Sequence, residues 1–93
     1  MTALAICFYT PESYDELKKV AVDKKSLCDT YADWMIEFQK AVTGLKEQGY
    51  SPITVTVNIS ELQNWCKENK LENKGSSRAK YASIIAQKLN PDF

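Results

Sequence analysis

The sequence predicts a small mixed α/β (α+β) domain, a two-stranded sheet covered by about four helices in the order β-α-α-β-α-α. Three observations predict it. The unbroken apolar run Ala3 to Tyr9 has the length and the β-branched and aromatic content of a buried strand. The stretch Pro52 to Ile59 alternates apolar and polar residues with a strand's period of two. Between and after these runs, apolar residues recur at steps of three and four, the period of amphipathic helices. The chain has 93 residues, which suits one domain, 1–93, with one core. A hydrophobic content of 44% and a charged content of 26% place it among globular rather than disordered chains.

In the first strand Leu4, Ile6 and Phe8 share one face, and Ala3, Ala5, Cys7 and Tyr9 share the other. Thr10-Pro11-Glu12 then reads as a helix start: a capping hydroxyl, a proline at the first helical position and an acid at the positive end. Tyr14, Leu17, Val20 and Ala21 follow at helical spacing, and the helix is expected to end near Asp23. Lys24 to Cys28 is a short connection or a single turn carrying Leu27. Thr30 with Asp33 opens the strongest helix, whose apolar stripe is Tyr31, Trp34, Met35, Phe38, Ala41, Val42 and Leu45. Ile36 lies off that stripe. Gly44 within the helix suggests close packing there, and Gly49 is a helix stop.

In the second strand Ile53, Val55, Val57 and Ile59 form the buried face, with Thr54, Thr56 and Asn58 on a wetter one. Ser60 with Gln63 forms a capping pattern ahead of a short helix with Leu62, Trp65 and Cys66 on one side. Lys70 to Ser77 is a polar loop, and Ser76 or Ser77 caps a last helix bearing Tyr81, Ala82, Ile85 and Leu89. Asn90-Pro91 is its stop. A helical hairpin between the strands would set them antiparallel, and a broken crossover would set them parallel. Both remain open from sequence. Either way two strands leave unpaired edges, and an edge could pair with a second copy to give a dimer with a continuous four-stranded sheet.

Charge is balanced, twelve basic residues against twelve acidic, so nothing in the total points to nucleic acid or a membrane surface. The distribution is uneven, with six basic and two acidic residues from Lys67 to Lys88. Cys7, Cys28 and Cys66 are odd in number and far apart, which points to free thiols and a cytoplasmic setting. The run Ala3 to Tyr9 is too short to span a bilayer and lacks a basic flank, so neither a membrane segment nor a signal peptide is expected.

Histidine is absent, which removes Ser-His-Asp and Cys-His catalysis and the commonest metal ligand. No metal and no cofactor are expected. Cys66, beside Trp65 on an amphipathic helix, reads as a small apolar core residue rather than a reactive thiol. Asp29 and Asp33 complement a helix dipole more simply than they form an acid–base pair. Tyr9, Tyr31, Trp34, Phe38, Trp65 and Tyr81 default to core packing, with Tyr14 and Tyr50 the more exposed tyrosines. The sharpest local feature is Lys74-Gly75-Ser76-Ser77-Arg78-Ala79-Lys80. A glycine turn entering a helix exposes backbone amides, and Lys74, Ser76, Ser77, Arg78 and Lys80 add charge and hydroxyls that could hold a phosphate or carboxylate. The alternative is a solvated basic loop with an ordinary serine cap.

Residues 60–89 resemble the helix–extended loop–helix of SAP modules, with Glu61-Leu62, Cys66, Leu71, Gly75, Arg78 and Ile85 in the characteristic places. SAP modules bind DNA, so the resemblance implies Arg78, Lys74 and Lys80 as backbone contacts. This chain has one extra residue between Gly75 and the second helix, Trp65 inside the first, and a strand-bearing N-terminal part that SAP modules lack. The whole chain is similar to small bacterial proteins of unknown function, through Y-x-x-W at 31–34 and E-L-x-x-W-C at 61–66. That likeness implies no activity. The expected function is a non-catalytic interaction with a protein partner or a second copy. Binding of nucleic acid or a phosphate ligand ranks second, and a small carboxylate or thiol enzyme third.

Overall fold

The structure, a computed structural model, describes residues 2–89. Strands β1 (Thr2–Phe8) and β2 (Tyr50–Thr56) pair in parallel, Thr2 opposite Tyr50 through Phe8 opposite Thr56. Helices α1 (Pro11–Val20) and α2 (Tyr31–Glu47) lie between them, and α3 (Ile59–Glu68) and α4 (Gly75–Leu89) follow β2. The strand direction left open by the sequence is therefore that of a broken crossover. Its physical basis is length. The 17 residues of α2 rise about 25 Å, close to the roughly 23 Å of a seven-residue strand, so one helix returns the chain to the starting end of the sheet.

Local signals set most boundaries. The Thr10 hydroxyl accepts from the Ser13 amide at 3.1 Å and the Ser13 hydroxyl accepts from the Thr10 amide at 2.8 Å, a reciprocal capping box ahead of Pro11. Helix α1 stops at Val20 rather than Asp23, and a single 3-10 turn, Lys24–Ser26, follows. Thr30 caps α2 by accepting from the Asp33 amide at 3.1 Å. The cap of α3 is Asn58, whose side-chain oxygen accepts from the Glu61 amide at 3.0 Å, so the helix starts one residue before the expected Ser60 cap. Gly49 has φ +90°, a left-handed conformation that lets the chain turn from α2 into β2. Gly49→Ala is expected to lower stability by about 1 kcal/mol in chemical denaturation, since a Cβ is strained there although the space is open. Gly44, by contrast, has nothing within 4 Å of where a Cβ would stand, so the expected close contact does not exist. The Asn90-Pro91 stop lies outside the described residues.

The core sits beyond the C-terminal ends of the strands. Tyr9, Tyr14, Leu17, Ala21, Val57, Ile59, Leu62, Cys66 and Tyr81 form one buried cluster joining α1, α3 and α4. A second cluster, Val55, Ala82 and Ala86, seats α4 on one face of the sheet over Ala5, Cys7 and Ile53. Within β2 the alternation holds in part: Val55 is buried and Ile53 half-buried while Thr54 and Thr56 are exposed, but the strand stops at Thr56 rather than Ile59, because Asn58 caps α3 and Ile59 opens it. Tyr14, expected near the surface, is 1% exposed and donates its hydroxyl to the Cys28 carbonyl at 2.6 Å. Its place on the apolar stripe of α1 outweighs the polarity of the phenol, because the hydroxyl finds a partner.

Two expectations fail together. No residue of β1 from Thr2 to Phe8 is fully buried, although its apolar run predicts a buried strand. No residue of α2 is fully buried either, although it carries the strongest apolar stripe. A two-stranded sheet is too narrow to be covered on both faces and both edges by this chain. Phe8, Trp34 and Phe38 pack against one another with ring centroids 5.2–5.7 Å apart, yet their outer side stays open.

Candidate surface at the open edge of the sheet

The backbone of β1 decides which groups are available. In a parallel ladder each residue directs its N–H and C=O to the same side, and the side alternates along the strand. The Val57 amide donates to the Phe8 carbonyl at 3.0 Å, so the even-numbered residues of β1 face β2. Ala3, Ala5, Cys7 and Tyr9 therefore direct their backbone groups to the other edge. Tyr31 donates its hydroxyl to the Tyr9 carbonyl at 2.7 Å, closing that end. Among the described residues, no strand pairs with the rest of this edge.

A groove of about 340 Å³ runs along it. Ala5, Ile6, Cys7 and Tyr9 form its floor. Trp34, Glu37, Phe38 and Ala41 of α2 make one wall, and Gly75, Arg78 and Ala79 of α4, with Leu27, complete the other side. The groove is mostly apolar. Glu37 has an ion-pair partner in Lys40 at 3.5 Å. Burial, before any other cause, pushes the thiol of Cys7 and the phenol of Tyr9 above their ordinary pKa values, so neither is primed as a nucleophile or base near neutral pH. The Cys7 thiol lies 3.4 Å from the Arg78 carbonyl.

The basic loop is built differently from its sequence appearance. Arg78 is 7% exposed and grips Asp23 with two hydrogen bonds, Nη1 to Oδ1 at 2.9 Å and Nη2 to Oδ2 at 2.8 Å. Its Nη1 also donates to Asn73 Oδ1 at 3.0 Å. The same Asp23 carboxylate accepts from the Gly75 amide at 2.9 Å, so the first turn of α4 already holds an anion supplied by the chain itself. Neither expected serine caps this helix, which begins at Gly75. Of the five residues singled out as an anion site, Ser77 and Arg78 are buried, while Lys74, Ser76 and Lys80 are exposed. The arginine that the SAP resemblance would place on a DNA backbone is engaged with Asp23. Cys66 is 3% exposed in the core cluster. Among the described residues no three His, Cys, Asp or Glu side chains gather as a metal site, and no helix is long and apolar enough to cross a membrane.

Sequence reasoning missed Asp23, and no local signal could have found it, since it lies 55 positions from Arg78. The groove was half legible: an unpaired edge follows from having two strands, but which edge and which walls depend on the parallel crossover. Comparison with protein-family models, with curated proteins and with solved structures finds no match to this chain.

Proposed function

We propose that this chain is a non-catalytic interaction module that associates with a second copy of itself by strand addition at the open edge of β1. One observation carries the proposal: the two most apolar segments, β1 and the stripe of α2, are the ones a single chain leaves without a buried residue. An uncharged seven-residue edge without proline is a template for another strand. Natural monomers blunt such edges with lysine, proline or a covering segment, and β1 has none of these among its residues. An edge-to-edge joint would add main-chain hydrogen bonds and cover Leu4, which is 37% exposed, together with the outer side of Phe38. A second copy suits the surface because its partner must be equally free of charge, and β1 itself is. The state of Cys7 and Tyr9 supports binding over catalysis in the groove.

Light scattering during size exclusion tests this directly. The wild-type chain is expected to run at twice its 10.6 kDa mass at micromolar concentration. Leu4→Lys places a charge on the joint at a half-exposed position and is expected to give a folded monomer, checked by circular dichroism. A wild-type chain that stays monomeric at several hundred micromolar would sink the proposal.

A further inference from the structure

Resting on that self-association, we infer its register and its limit: Ala5 lies on the two-fold axis, Ala3 pairs with Cys7 of the second copy, and the assembly closes at two chains. The outward backbone groups of β1 are those of Ala3, Ala5 and Cys7, with the Tyr9 carbonyl already held by Tyr31. In an antiparallel pair, outward-facing residues oppose one another and exchange both hydrogen bonds. Centring the joint on Ala5 satisfies every free N–H and C=O of these three residues in both copies. A shift that sets Ala5 opposite Cys7 brings Ala3 against Tyr9, whose carbonyl is occupied. The opposite shift, Ala3 against Ala5, carries Cys7 past the start of β1. The preferred register also sets Leu4 against Ile6 of the second copy, an apolar pair on the α2 face, while Ala3, Ala5 and Cys7 form a row of small side chains on the α4 face.

The second edge explains the limit. By the same alternation, Pro52, Thr54 and Thr56 direct their backbones to the outer edge of β2. Pro52 has no N–H, so that edge is interrupted by a missing donor beside those of Thr54 and Thr56. Each chain thus has one edge with an unbroken run of donors, and a two-fold joint uses it in both copies at once. The sheet has nowhere further to grow.

Cysteine pairs read the register. Leu4 and Ile6 point their backbones at β2, so across the new joint they form a non-hydrogen-bonded pair with Cα atoms about 4.5 Å apart, within disulfide range. Like residues sit two places off register, about 8 Å apart, beyond the limit of about 7 Å. Mixing Leu4→Cys protein with Ile6→Cys protein under mild oxidation, and mapping disulfides by mass spectrometry, is expected to give a 4-to-6 crosslink between chains that is missing from either variant alone. As a check free of substitutions, amide exchange by NMR on the wild-type chain is expected to show Ala3, Ala5 and Cys7 protected at high concentration and exposed on dilution. A 4-to-4 or 6-to-6 crosslink would overturn the register. A dimer with fast exchange at all three amides would overturn the edge joint while leaving self-association standing. Particles larger than two chains would overturn closure, and a monomer would remove the reading beneath all of it.

Discussion

Asp23→Ala is expected to lower the stability of the folded chain by about 3 kcal/mol at neutral pH, measured by urea denaturation at one fixed protein concentration. The concentration is held because association and unfolding are linked in a self-associating chain. The loss has a specific origin. Arg78 keeps its positive charge in a site where it is 7% exposed, and among the described residues Asp23 is its one carboxylate partner, at 2.8 Å. Removing the carboxylate leaves a buried guanidinium with Asn73 as its remaining side-chain acceptor and uncaps the Gly75 amide. Breaking a buried pair from one side costs about 3–5 kcal/mol, and the 26% exposure of the Asp23 side chain sets the low end, since water can replace part of it. Adding Arg78→Met to Asp23→Ala should recover much of the loss, because an apolar chain of similar length needs no counter-charge. A loss below about 1 kcal/mol for the single variant would mean that solvent serves Arg78 as well as Asp23 does.

The same pair dictates a pH dependence. Hydrogen bonds from Arg78, with the Gly75 amide adding to them, hold the Asp23 carboxyl below its ordinary pKa. Its folded value is thus lower than its unfolded one, so the stabilisation is complete above the unfolded value of about 3.9 and is lost as pH falls through the folded value. The gap between wild type and Asp23→Ala should stay constant from pH 7 to about 5 and narrow in acid below about 4. A gap that widened in acid would reverse the assignment.

The contrast between legible and hidden features is physical. Helix starts at Thr10 and Thr30 were readable because a cap acts over three residues and depends on side-chain chemistry alone. The buried face of β2 was readable because alternation is a local pattern. The start of α4 was not, because its cap is a carboxylate brought from the loop after α1, and only the folded chain makes Asp23 and Gly75 neighbours. Burial of β1 and α2 was misjudged for a related reason. Hydrophobicity says that a surface should leave water, but not whether this chain or another will cover it. Tyr14 shows the reverse error: polarity suggested the surface, while one acceptor, the Cys28 carbonyl, was enough to keep the phenol inside.

Leu62→Ala is the expected counterpart in the apolar core, with a loss of about 3 kcal/mol in the same denaturation measurement. Leu62 is 0% exposed in the cluster that joins α1, α3 and α4, so truncation removes its own burial and leaves a cavity within that cluster. Ile36→Ala removes a similar amount of hydrocarbon from α2, yet Ile36 is 51% exposed, and the expected change is within about 0.5 kcal/mol. The pair separates two kinds of apolar position: Leu62 sits in the core that holds the chain folded, while Ile36 lies off the α2 stripe and faces water. If Ile36→Ala matched Leu62→Ala in cost, exposure would be a poor guide to what an apolar residue contributes to this fold.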